Sequence, residues 1–160
     1  MLYPLSYGGI PQLGPLGAYL TTTVDLVPRV LVVDDTPSIR LLIRTNLEFE
    51  GFEVEEANDG VECLDRMFNG ETLPDILTVD IMMPRLDGLE TVHALRADPR
   101  TKSIPIVMVS TQAQASDLER GVKAGVDAYV TKPFDPDVLV QTIKGVYEAR
   151  YGPMEHSSNP

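Results

Sequence analysis

The chain has 160 residues, with 13 basic and 24 acidic side chains and a formal net charge of −11. Such a charge repels phosphate backbones and anionic lipid heads, which argues against nucleic-acid binding and against a membrane-surface role. One cysteine, Cys63, excludes an internal disulfide, and His93 and His156 are too few to complete a structural zinc site. A reducing, cytoplasmic setting fits.

Residues 1–24 carry no charged side chain and are broken by Pro4, Gly8, Gly9, Pro11, Gly14, Pro15 and Gly17. They lack the basic start and unbroken apolar run of a signal peptide, and the same breaks argue against a membrane span. Residues 1–28 read as an irregular extension. A docking segment carrying Tyr3, Leu5, Tyr7 or Tyr19, and a misassigned translation start, are the alternatives.

From Arg29 the pattern changes to Arg-Val-Leu-Val-Val bounded by Asp34-Asp35, a short strand buried on both faces. A helix follows, capped at Thr36 with Pro37 in its first position, carrying Ile39, Leu42, Ile43 and Leu47 and stopped by Gly51. Phe52 to Ala57 alternates as a second strand, and Asn58-Asp59-Gly60 turns the chain into a helix marked by Val61, Leu64, Met67 and Phe68. Ile76 to Val79 forms the third strand and ends on Asp80; Leu89, Val92 and Leu95 mark the third helix. The fourth strand, Ile106 to Val109, runs into Ser110-Thr111, and Leu118 and Val122 lie on a fourth helix that breaks at Gly125. Ala128 to Thr131 is the fifth strand, meeting Lys132-Pro133, and Leu139, Ile143 and Val146 stripe the last helix. Residues 150–160 read as a frayed tail.

Five strands alternating with five helices predict an α/β fold: a doubly wound, flavodoxin-like parallel sheet in the order 2-1-3-4-5, over residues 29–149. Function in such sheets sits at the carboxyl ends of the strands. There the sequence places Asp34 and Asp35, Asp80, Ser110 and Lys132, with nothing from the second strand. Singly these are a helix cap, a turn residue, a strand-end hydroxyl and a surface amine. Together they form a site.

Two like charges about 4 Å apart repel by ~4 kcal/mol at an effective dielectric of 20, so three gathered carboxylates call for a proton or a cation. An all-oxygen cluster suits magnesium better than zinc. With a lysine and a hydroxyl beside it, the cluster is suited to transfer of a phosphoryl group to the central carboxylate.

The acidic pair Asp34-Asp35, Thr-Val-Asp80-Ile-Met-Met-Pro, Asp87-Gly88, Ser110 after Ile-Val-Met-Val and Ala-Tyr129-Val-Thr-Lys132-Pro133-Phe carry a family resemblance. From Arg29 to Tyr147 the chain resembles the receiver domain of two-component response regulators, the phospho-acceptor module related in fold to the chemotaxis switch protein. The resemblance implies that Asp80 takes a phosphoryl group from the phosphohistidine of a histidine kinase. It implies magnesium held by Asp35, Asp80 and the Met82 backbone carbonyl, with Asp34 acting mainly through water. It implies that Lys132 pairs with phosphoryl oxygens and that a cis bond precedes Pro133. It further implies that Ser110 moves toward the phosphate and Tyr129 turns inward, changing the face of the fourth helix, fifth strand and fifth helix that a partner reads.

Thr111 and Met82 depart from the commonest pattern and are expected to crowd the site and lengthen the phosphorylated lifetime, whereas Gln112 could orient a water and shorten it. The chain is expected to act as a stand-alone receiver with a separate protein partner, since little sequence follows the fifth helix. The alternatives are a phosphorelay intermediate or phosphate sink, fed by a histidine phosphotransferase, and more remotely an aspartyl-phosphate phosphatase. The phosphatase needs a second acid where Met82 stands. A flavin-binding module is disfavoured by Asp34 and Asp35, which would repel the flavin phosphate.

Overall fold

A computed structural model describes residues 27–154. The expectations for residues 1–26 and 155–160 lie outside the described residues. The elements are β1 (Arg29–Val33), α1 (Pro37–Phe49), β2 (Glu53–Ala57), α2 (Gly60–Asn69), β3 (Ile76–Val79), α3 (Gly88–Ala97), β4 (Ile106–Ser110), α4 (Ala115–Ala124), β5 (Ala128–Thr131) and α5 (Pro136–Tyr151). The sheet is parallel throughout, in the order β2-β1-β3-β4-β5. The expected architecture is observed.

Alternation along the strands sorts their side chains between two cores. Leu31, Val33, Leu77, Val79, Ile106 and Met108 face Cys63 and Met67 of α2, Leu89, Val92 and Leu95 of α3 and Ala124 of α4. Val30, Val32, Ile76, Val107 and Val109 face Ile43 and Leu47 of α1 and Leu139, Val140 and Ile143 of α5. Burial on both faces explains why Val30 to Val33 of β1 and Ile106 to Val109 of β4 read as unbroken apolar runs. With all strands parallel, every strand end and every helix start lies at one edge of the sheet.

Four local details refine or differ from the sequence reading. Ser110 is the last residue of β4 rather than the first beyond it. Thr36 occupies the cap position, but its side chain makes no capping bond; its N–H donates to Asp34 Oδ1 instead. Leu118 and Val122 lie on α4 as expected, both exposed, while the helix buries Gly121 and Ala124. Helix α5 continues through Arg150 to Tyr151, past the start of the expected tail, and Met154 packs against the second core. Tyr151 donates its hydroxyl proton to the Asp75 carbonyl, and its ring lies 4.9 Å from that of Tyr147, which extends the helix's anchorage.

Candidate functional site

β1 and β3 are adjacent and in register, Val33 opposite Val79, so the residues that follow them emerge side by side. The main chain is tied across this edge: Asp34 N–H donates to Ala57 O at 3.2 Å and Asp80 N–H to Val33 O at 3.0 Å. Carboxylate oxygens of Asp34, Asp35 and Asp80 lie within 4.8 Å of one another. Asp34 and Asp80 are buried, while Asp35 is exposed at the mouth.

Lys132 follows β5, and its backbone N–H donates to Ser110 O at 2.8 Å. Its ammonium reaches Asp34 Oδ2 at 2.6 Å and Asp80 Oδ2 at 3.1 Å. The Lys132–Pro133 bond is cis. Burial works against the ammonium's charge, but the hydrogen bond to Asp34 and the charge of Asp80 outweigh it, so the Lys132 pKa lies above its ordinary value. Burial pushes the Asp80 carboxyl above the usual carboxylate range, with Lys132 opposing and Asp34 reinforcing the shift.

One ammonium cannot neutralise three carboxylates. The remaining negative charge and the all-oxygen donor set fit a hard divalent cation. Met82 N–H donates to Asp80 Oδ1 at 3.3 Å, which brings the Met82 peptide beside the cluster. The loop folds back because Gly88 N–H donates to Ile81 O at 2.8 Å, and a Cβ at Gly88 would collide with the Asp80 carbonyl oxygen. Asp87 caps α3 in a reciprocal capping box with Glu90. The Asp87-Gly88 pair therefore sets the path of the chain that leaves Asp80.

On the β4 side, Ser110 is fully buried, and its Oγ accepts from Gln112 N–H at 3.2 Å. The same peptide segment receives the Tyr129 hydroxyl, which donates to Gln112 O. Tyr129 is half-buried and packed against the first core, and burial raises its phenol pKa while the Ser110 hydroxyl opposes the rise. Thr111 and Met82 are exposed. All the strand-end residues expected from the sequence lie along one edge, and β2 sends no side chain into the cluster.

Three features of this edge escape a strand-end reading. Asp59 is a buried cap of α2, accepting from Glu62 N–H at 2.9 Å, rather than only a turn residue. Its other carboxylate oxygen pairs with Arg85 at 2.6 Å, where the backbone of Arg85 is left-handed at φ 69°. The Asp59-x-x-Glu62 spacing was the available signal for the cap. Arg40 is the third feature: it bonds the Asp34 backbone carbonyl and Glu56, and no motif announces it.

The likeness to known proteins agrees with this geometry. The DNA-binding dual master transcriptional regulator RpaA of Synechocystis is 35% identical over 120 residues, covering 75% of this chain and 49% of the relative. The phosphate regulon transcriptional regulatory protein PhoB of Rhizobium meliloti is 38% identical over 121 residues, covering 76% and 52%. The chain thus spans about half the length of the curated relatives it matches. Among solved structures, chemotaxis response regulator CheY4 of Vibrio cholerae superposes with a TM-score of 0.70 at 34% identity, covering 75% of this chain and 98% of that one. Residues 30–144 match the family model of the response regulator receiver domain, and with the same fold and the strand-end acids in place, the chain belongs to that family.

Proposed function

We propose that this receiver accepts a phosphoryl group on Asp80 from the phosphohistidine of a histidine kinase or histidine phosphotransferase. The observation that carries the reading is Lys132 bridging Asp34 and Asp80 from a separate strand. An Asp80 carboxylate oxygen attacks phosphorus; the P–O bond forms as the P–N bond breaks, and the imidazole nitrogen leaves with the bonding pair. The Lys132 ammonium, 3.1 Å from Asp80 Oδ2, would partner the charge of the added oxygens.

Asp35, Asp80 and the Met82 carbonyl would hold Mg2+, with Asp34 acting mainly through a water. The ion would supply positive charge against the phosphoryl oxygens. The Ser110 hydroxyl would turn to the phosphoryl group, releasing Gln112 N–H. Tyr129, anchored on the same segment, would follow further inward. The α4–β5–α5 face would then exist in two forms, with Leu118 and Val122 exposed on it, and a separate protein partner would read the difference. Action in the cytoplasm, without nucleic-acid binding or membrane insertion, belongs to this proposal. Among the described residues, no helix is long and apolar enough to cross a membrane.

The test is intact mass after incubation with Mg2+ and a small phosphodonor. One phosphoryl adduct is expected, dependent on Mg2+ and absent in Asp80→Asn; an adduct that persists in that variant sinks the assignment.

A further inference from the structure

β2 sends no side chain to the cluster, yet it is wired to it. Glu56, next to last on β2, receives two arginines of α1: Arg40 Nε at 3.0 Å and Arg44 at 2.7 Å. Arg44 also pairs with Glu48 at 2.8 Å on its own helix. Arg40 alone of the two turns a second nitrogen toward the site and donates to the backbone carbonyl of Asp34 at 2.7 Å. Its side chain is only 12% exposed.

The Asp34 residue is thus gripped at both ends of its peptide. Its N–H donates to Ala57 O at the end of β2, its carbonyl accepts from Arg40, and its carboxylate accepts from Thr36 N–H and Lys132. Both main-chain ties lead back to β2, one directly and one through Arg40 and Glu56. The flat guanidinium serves a carboxylate and a carbonyl at once, which an ammonium at the same distance does less well.

We propose that Arg40 is a positioning residue: oriented by Glu56, it holds the Asp34-Asp35 loop in the arrangement that receives the divalent cation. This rests on the phospho-acceptor reading and extends it to a residue that touches neither metal nor phosphoryl group. The loop acids repel one another, so an unbraced loop would spread. The brace keeps them together before the cation arrives.

Charge separates this role from plain electrostatics. Removing a cation near an anionic cluster should by itself tighten Mg2+ binding; removing a brace should weaken it. Mg2+ is titrated by calorimetry into the full chain and into Arg40→Lys, Arg40→Gln and Arg44→Gln. Hydrogen exchange at the Thr36 amide is followed in metal-free protein.

Arg40→Gln should raise the Kd about tenfold, the usual scale for residues that orient metal ligands. Charge-neutral Arg40→Lys should raise it several-fold, and exchange at Thr36 should speed up in both. Arg44→Gln, which loses the same charge and the same Glu56 partner, should stay within twofold of the parent. A parent-like or tighter Kd in Arg40→Lys, or an equal loss in Arg44→Gln, overturns the inference. If Arg40→Gln does not fold, the Arg40→Lys comparison decides. A parent that binds no Mg2+ and takes no Asp80-dependent adduct would overturn the phospho-acceptor reading itself; a parent that does both, with Arg40→Lys indistinguishable from it, overturns only the role of Arg40.

Discussion

Helices α3 and α4 are neighbours on the same face of the sheet, yet they are held very differently. α3 buries Gly88, Leu89, Thr91, Val92 and Leu95, is closed by a reciprocal capping box at Asp87, and is pinned at its far end by Arg96 to the carbonyls of Lys102, Ile104 and Gly125. α4 buries only Gly121 and Ala124, leaves Leu118 and Val122 in solvent, and rests on the Tyr129 ring, whose Cδ2 would lie 3.1 Å from a Cβ at Gly121. One helix is a fixed wall behind Asp80. The other is lightly anchored above Ser110 and Tyr129, which is the property a reporting element needs, because few apolar contacts oppose its displacement.

The largest effect that could break this contrast is on the fixed side. Leu95→Ala, at a fully buried α3 position, should destabilise the fold by about 2–5 kcal/mol in denaturant unfolding. Tyr129→Phe removes the hydroxyl bond to Gln112 O and should cost roughly 0.5–1.5 kcal/mol, leaving phosphoryl uptake on Asp80 intact while blunting the partner's discrimination between the two forms. A Tyr129→Phe protein whose partner affinity still changed fully on phosphorylation would remove Tyr129 from the switch.

On the crowding expected from the sequence, Thr111→Ala and Met82→Asn, both at exposed positions, should shorten the phosphoryl half-life a few-fold, read by loss of the mass adduct; half-lives equal to the parent's would refute crowding. Val122→Ala, on the lightly held side, should change stability by no more than about 0.5 kcal/mol. A cost there approaching that of Leu95→Ala would erase the distinction between the helices.

Cys63 offers the finest probe of the packed side. Burial pushes its thiol up to about 12, so it stays protonated and unreactive toward thiol reagents at neutral pH. The unfolded thiol titrates at its ordinary, lower value. The raised folded value therefore contributes stability that is complete below the unfolded pKa and is lost as pH rises toward about 12. Rapid labelling in native protein at neutral pH would show that this face opens more readily than its packing implies.

Much of the site was readable because in a parallel sheet a residue's place is set by which strand it follows. Asp34, Asp80, Ser110 and Lys132 could be put on one edge from the ends of apolar runs alone. What the sequence left open depends on neighbours distant in the chain. Leu118 and Val122 have helical spacing, but which stripe of a helix faces inward depends on its neighbour, and here the small Gly121 meets the Tyr129 ring. The Asp59–Arg85 pair had no signal because its two members lie 26 residues apart, whereas the Asp59 cap had a local one.

By itself, then, the sequence determined the element order, the two-sided burial of the central strands and the set of strand-end groups, since periodicity and the Gly and Pro breaks are local properties of the chain. Only the tertiary structure decided that Lys132 reaches Asp34 as well as Asp80, that Arg40 ties Glu56 to the Asp34 carbonyl, and that α4 is lightly held. Long side chains choose their partners by distance in space, and that distance exists only once the sheet has brought separate segments together.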